Sequence, residues 1–250
     1  MVVTGVLKGR AAVVTGGSRG IGRGIVERLA RDGATVVFGF RRDADAAREV
    51  ERVVAEEGGE AYGVRSDLAD LDGVARLFAA ADEHLDGLDI LVNNAVADFY
   101  GTLLSEVTDE DYEWVFAVNT RAVFQALRHA ARTMRDNGRI INLSTLNTIM
   151  QPPGGSLYCG SKGAVEQFTV VAARELGSRG ITVNTVSPGA TDTDLLRARN
   201  PPEVLEQFVA RTPMGRLGLP SDIADIVAFL ASPDARWLTG QNLFATGGIR

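Results

Sequence analysis

Tyr158 and Lys162 stand four positions apart in the stretch SLYCGSKGAVEQF, residues 156–168. Residues i and i+4 of a helix share one face, so a phenol and an ammonium at this spacing can interact. A cation beside a phenol favours the phenolate and lowers its pKa from about 10 toward neutral pH. Tyr158 then becomes a proton donor and acceptor, with Lys162 as its tuner. Ser144 closes the apolar run GRIINLS (138–144), where a hydroxyl at a strand end can meet an oxygen on which charge develops. Asn119 interrupts the apolar WVFAVNTRAVF (114–124); asparagine is a poor former of helix interiors, so a specific polar task is expected of it. Taken alone, the Tyr-x3-Lys pair also fits a tyrosine packed at a helix start beside a solvated lysine. The rest of the chain must decide.

A second chemical feature lies near the start. TGGSRGIG (15–22) follows an apolar run and opens a helical pattern, with Gly16, Gly20 and Gly22 in G-x-x-x-G-x-G spacing. Glycines there permit a tight turn and bring backbone N–H groups close to phosphate oxygens, and the helix N-terminus adds positive potential. The reading is a dinucleotide site rather than only a turn. An NAD site places an acid about 20 residues after the glycines. Here that place reads GFRRD (39–43), with Phe40 at the acid's position and Arg41 and Arg42 behind it. An arginine fork suits a 2′-phosphate, and Arg19 inside the turn can converge on the same group. Arg19 and Arg41 therefore point to NADP(H); Arg42 also fits a solvated surface, and Asp43 is the nearby acid that would oppose a phosphate.

The elements that must carry these groups alternate along the chain. Short Val/Ile-rich runs fall at 10–15, 34–40, 61–66, 88–94, 138–144, 181–187 and 241–246, several almost uniformly apolar, as in parallel strands covered on both faces. Helical patterns lie between them, near 20–32, 43–57, 70–84, 108–135, 156–178 and 221–231, the fourth opening with a Thr108/Asp111 capping box. Such alternation predicts an α/β fold with a doubly wound parallel sheet of about seven strands, helices on both faces, in a single domain over 1–250. Residues 188–220 hold five of the eight prolines and break the rhythm; an irregular segment directly after a strand is expected to be a lid over a ligand.

Composition narrows the functional classes. Of 250 residues, 45% are hydrophobic and 23% charged, ordinary globular usage, and the net charge of -6 argues against a nucleic-acid surface. Cys159 is the only cysteine, which fits a reducing compartment. No apolar run approaches the roughly 20 residues that span a bilayer, and no signal peptide is read at the start, so a cytoplasmic placement is expected. His84 and His129 stand apart with no ligand set around them, so no metal is expected.

In this order (the glycine turn at 15–22, Asp67, NNA at 93–95, Asn119, Ser144, Tyr158-x3-Lys162 and PGATDT at 188–193) the chain resembles the short-chain dehydrogenase/reductase family over nearly its whole length, and within it the 3-oxoacyl-carrier-protein-reductase-like ketoreductases. The resemblance implies a Rossmann-type fold and a catalytic tetrad of Asn119, Ser144, Tyr158 and Lys162. Tyr158 would exchange the proton and Ser144 would bind the substrate oxygen. Lys162 would hold the nicotinamide ribose, and Asn119 a water linking Lys162 to solvent. It places cofactor contacts at Gly16, Ser18, Arg19, Gly20, Ile21, Gly22 and Arg41, at Asp67 and Leu68 beside the adenine, and at Asn93 and Ala95 along the adenosine. Pro188, Gly189, Thr191 and Thr193 complete the set, Thr193 at the carboxamide. It also implies a homo-oligomer, tetramer or dimer. Val96 departs from the family's glycine in NNAG, and a β-branched residue resists positive φ. Gly160 stands where alanine is common, and Thr246 where aspartate is.

The expected activity is an NADP(H)-dependent ketoreductase, or alcohol dehydrogenase in reverse. Its pocket would be drawn from 96–104, 145–157 and the 188–220 lid. The first two segments carry one charged residue, Asp98, with Phe99, Tyr100 and Met150, so the substrate is expected to be a medium-sized, largely apolar ketone: 3-oxoacyl, polyketide-like or steroid-like. An NAD-preferring polyol or sugar dehydrogenase and a noncatalytic NADP-binding regulator are the alternatives.

Overall fold

The apolar runs are strands, the five inner ones buried along nearly their whole length and the two edge ones partly exposed. The computed structural model describes residues 5–249. It has β1 (Ala11–Thr15), β2 (Thr35–Phe40), β3 (Glu60–Arg65), β4 (Ile90–Asn93), β5 (Arg139–Leu143), β6 (Thr182–Pro188) and β7 (Asn242–Ala245). They form one parallel sheet in the order β3-β2-β1-β4-β5-β6-β7. The order reverses between β1 and β4, where a crevice opens at the strands' carboxyl ends.

Each face of the sheet is sealed by helices. Val14, Val36, Phe38, Val92, Ile141 and Val186 join one apolar cluster with α1 (Gly20–Arg31), α2 (Ala44–Glu56) and α10 (Pro220–Ala231). Val13, Val37, Leu91, Ile140 and Val183 join the other with α3 (Gly73–His84), α5 (Ala122–Thr133) and α7 (Ser156–Leu176). The alternation along each strand sends neighbouring residues to opposite clusters. The two histidines pack on this second side: His84 stacks on Tyr62 and His129 on Phe78.

Two elements differ from the sequence reading. The helix through Asn119 is not uniformly α: α4 (Asp109–Phe116), opened by the expected Thr108/Asp111 capping box, runs through a π turn at Ala117–Arg121 into α5. The segment 188–220 is not irregular. It holds α8 (Asp194–Arg199) and α9 (Pro202–Arg211), and a short α6 (Asn147–Met150) lies in the loop after β5. The prolines mislead here, because proline is well suited to the first turn of a helix, and Pro202 and Pro220 sit there in α9 and α10.

Candidate active site

The glycine turn closes through contacts that no side chain would permit. A Cβ on Gly22 would stand 2.0 Å from the Gly16 carbonyl oxygen, and one on Gly16, at φ +69, would stand 2.9 Å from Ala95 Cα. Asn94, absent from the sequence expectations as a functional residue, ties the turn together. Its Nδ2 donates to the carbonyls of Thr15 (3.1 Å) and Gly16 (2.9 Å), and its N–H donates to Thr15 Oγ1 (2.9 Å). Ala95 N donates to the same hydroxyl at 3.0 Å. The turn thus opens α1 at the carboxyl ends of β1 and β4.

Asn93, expected along the adenosine, is buried, and its side chain donates to Asn142 Oδ1 at 2.8 Å. Asn142 in turn donates to Thr169 on α7. Asp67 accepts from Ala69 N at 3.0 Å, fixing the loop after β3, and Leu68 packs on the second apolar cluster. At the end of β6, Pro188 accepts from Leu146 N and Thr191 Oγ1 donates to the Gly189 carbonyl. Thr193 caps α8 by accepting from Leu196 N, and its Cγ2 lies 3.3 Å from where a Gly20 Cβ would be. The segment after β6 therefore starts directly over the glycine turn.

The rim suits an anionic group. Arg19, Arg41 and Arg42 are exposed, and none of the three ion-pairs with a carboxylate among the described residues. Asp43, the acid that would have opposed a phosphate, is spent as the cap of α2, accepting from Ala46 N at 3.0 Å. Val96 carries no strain, since the only described non-glycine residues at positive φ are Asn137 and Gln151. At Gly160 an added methyl would meet nothing nearer than 3.9 Å, so glycine there costs no packing. Thr246 donates to the Ile249 carbonyl at 2.7 Å and fixes the final turn.

Ser144, expected at the substrate oxygen, has a carboxylate partner. Ser144 Oγ donates to Glu166 Oε1 on α7 at 2.7 Å, and Thr148 Oγ1 donates to the same oxygen at 2.8 Å. The neighbouring hydroxyl that bears on the phenol belongs to Thr145, one residue on, and it favours the phenolate. Strand alternation puts Ile140, Asn142 and Ser144 on the face toward α7, Asn142 reaching Thr169 and Ser144 reaching Glu166. Glu166 lies one helical turn beyond Lys162 and anchors both sides of Thr145.

Lys162 and Tyr158 are both governed first by burial. Lys162 is buried, its Nζ donates to the Leu143 carbonyl at 2.8 Å, and burial presses its pKa down to about 8. Tyr158 is pushed up to about 12, first by burial and then by the carboxylate of Asp98, with Thr145 pulling the other way. Desolvation of both groups outweighs their proximity on the helix. Asn119 is fully buried at the π turn. Its Oδ1 accepts from Ala97 N (2.7 Å) while its Nδ2 donates to the Ala97 carbonyl (3.0 Å) and Ser161 Oγ (3.1 Å). Rather than reaching Lys162, it ties the loop after β4 to α7. Tyr100 tilts against Tyr158 with ring centroids 5.0 Å apart, and its hydroxyl lies 3.9 Å from Cys159 Sγ.

Comparison with known proteins places this arrangement. The family described as enoyl-(acyl carrier protein) reductase matches residues 16–250. A hydroxynaphthalene reductase-like protein of Metarhizium majus is 40% identical over 255 residues, covering 97% of this chain and 95% of that one. The crystal structure of the angucycline C-6 ketoreductase LanV with bound NADP has 43% identity and a TM-score of 0.92, covering 98% of this chain and 97% of that chain. LugOII, described as a promiscuous reductase catalysing keto-reduction at C1 during lugdunomycin biosynthesis, has 41% identity and a TM-score of 0.91, covering 97% and 98%. No helix among the described residues is long and apolar enough to cross a membrane. The chain is an oxidoreductase of the short-chain dehydrogenase/reductase family.

Proposed function

We propose that the protein is an NADPH-dependent ketoreductase acting on a medium-sized, largely apolar ketone built on fused rings. The observation that carries this reading is the joint placement of Tyr158, Thr145 and Lys162 at the cleft that the glycine turn opens. NADPH, when bound, supplies the hydride. The donor set fits that cofactor: backbone N–H groups at the α1 N-terminus for the pyrophosphate, and Arg19 and Arg41 for the 2′-phosphate, with no acid at Phe40 to favour a free 2′-hydroxyl. LanV binds NADP, and the Metarhizium relative is named for a hydroxynaphthalene, two fused aromatic rings bearing a hydroxyl.

This chain's residues then divide the remaining work. Thr145 Oγ1 and Tyr158 Oη hold the substrate oxygen, and Tyr158 gives it a proton as negative charge develops. Asn119 ties the loop after β4 to α7, and Lys162 ties α7 to the end of β5. Val96, Ile149 and Met150, all exposed, supply an apolar surface for the rings. The test is reduction of β-tetralone with NADPH beside Tyr158→Phe. The variant is expected to bind NADPH as wild type does while kcat falls roughly 100- to 10,000-fold. Wild-type turnover by the variant would overturn the assignment.

A further inference from the structure

Among the charges of the lid, one reaches across the cleft. Arg197 is bound by both oxygens of Asp192, at 2.5 and 2.7 Å, so that pair is closed within the lid itself. Arg199, on the last turn of α8, instead meets Asp98 on the loop after β4. Its Nε stands 2.7 Å from Asp98 Oδ2, and its Nη2 donates to the Asp98 carbonyl. The Asp98 side chain is only 18% exposed, against 41% for Arg199. The carboxylate faces inward: it acts on the hydroxyls of both Tyr158 and Tyr100, raising each. It is therefore the one acid among the described residues with a resolved effect on the proton donor, and a single cation from the lid balances it.

We propose that Asp98 and Arg199 form a charge filter at the mouth of the substrate cleft, selecting uncharged or phenolic ketones and rejecting those with a carboxylate near the reacting carbonyl. The inference deepens the ketoreductase reading above and rests on it for the position of the substrate. An anionic substrate entering beside Tyr158 meets Asp98 at short range in a partly desolvated site, where screening is weak. Arg199 cannot serve that anion without releasing Asp98, because the guanidinium is already committed to it. A neutral ring system costs neither partner its bond. A phenolic hydroxyl can also donate to the carboxylate.

The filter predicts opposite effects from its two halves. Asp98→Asn leaves Arg199 free, so kcat/KM for a β-tetralone bearing one carboxylate rises relative to β-tetralone, by roughly tenfold for one partly screened charge. Arg199→Gln leaves Asp98 bare, and the same ratio falls by a similar factor. The double variant returns toward the wild-type ratio. A pair that merely latched the lid would move both substrates together in both variants. Binding of β-naphthoate and β-naphthol with NADPH present, measured by calorimetry, reads the same ratio without turnover. Naphthoate gaining in Asp98→Asn and losing in Arg199→Gln supports the filter. A ratio that stays put, or moves alike in both, overturns it. Absence of tetralone reduction with an intact naphthoate-to-naphthol contrast would instead remove the ketoreductase reading alone.

Discussion

Thr145 and Ser144 are adjacent hydroxyls, and the structure gives them separate fates that mutation can read. Thr145 bears on the Tyr158 phenol and favours its ionised form, whereas Ser144 is held at 2.7 Å by Glu166 on the α7 side of β5. Removing one donor to a developing oxyanion typically costs about 100- to 1000-fold in kcat, or roughly 3–4 kcal/mol of transition-state stabilisation. Thr145→Ala is expected to fall in that range with little change in KM, and Thr145→Ser to restore most of it. The serine control also keeps the acceptor that Asn147 N uses at 3.2 Å, so backbone order after β5 is retained. Ser144→Ala loses a hydrogen bond to a carboxylate, worth about 1.5–3 kcal/mol, and leaves Thr148 on the same oxygen. It should lower Tm by several degrees and change kcat less than about tenfold, because Glu166 still holds the segment from one side. The assay is steady-state reduction of β-tetralone beside thermal unfolding of the same preparations. If Ser144→Ala lost hundreds-fold in kcat while Thr145→Ala stayed near wild type, the division of labour drawn from their partners would be wrong.

Lys162 gives a prediction in stability rather than rate. Its folded pKa lies near 8 against 10.5 for a free lysine, a gap of roughly 3 kcal/mol. Between those values the unfolded chain holds a proton that the folded chain does not, so this group's contribution rises with pH from about 8 to 10.5 and is lost as pH falls. Lys162→Met should therefore be more stable to urea than wild type at pH 7, with the advantage shrinking through that window; a difference constant with pH would count against it. Arg41→Asp places a carboxylate where a 2′-phosphate is expected. KM for NADPH should rise roughly tenfold to a hundredfold with that for NADH nearly unchanged, and equal shifts for both cofactors would remove Arg41 from the phosphate site.

The sheet was legible because its inner strands, buried on both faces, cannot hide their composition, and all seven apolar runs became strands. The helices at 20–32, 43–57 and 156–178 were equally plain, each opening beside a strand with a clear apolar stripe. What escaped were features decided by pairing rather than pattern. Two neighbouring hydroxyls look alike in a sequence, and only their partners show that Ser144 is held by Glu166 while Thr145 bears on the phenol. Asn93 reads as a cofactor ligand by position; the strand register places it opposite Asn142, and a buried amide takes the partner that is there. The π turn at Asn119 escapes periodicity because WVFAVNTRAVF is apolar on most sides, so the change of register leaves no visible gap in its stripe. The charge of Asp98 was visible, but that Arg199 and not Arg197 would answer it depends on the fold of the lid.

The same balance of burial and charge bears on the direction of proton flow. With its pKa near 12, Tyr158 is protonated at neutral pH in the uncomplexed protein, and its phenolate would be populated to roughly one part in 100,000 at pH 7. Such a group is ready to give a proton and poorly placed to take one. An alkoxide formed by hydride addition is a stronger base than a phenolate, so transfer from the Tyr158 phenol runs downhill. Alcohol oxidation requires the phenolate first, and burial, Asp98 and Cys159 all oppose it. Only Thr145 favours it among the groups bearing on that hydroxyl. Lys162, with its pKa lowered to about 8, stays mostly protonated at neutral pH, but its ammonium is committed to the Leu143 carbonyl. The electrostatics that make this tyrosine a weak acid therefore suit it to carbonyl reduction, where the base it must protonate is stronger still.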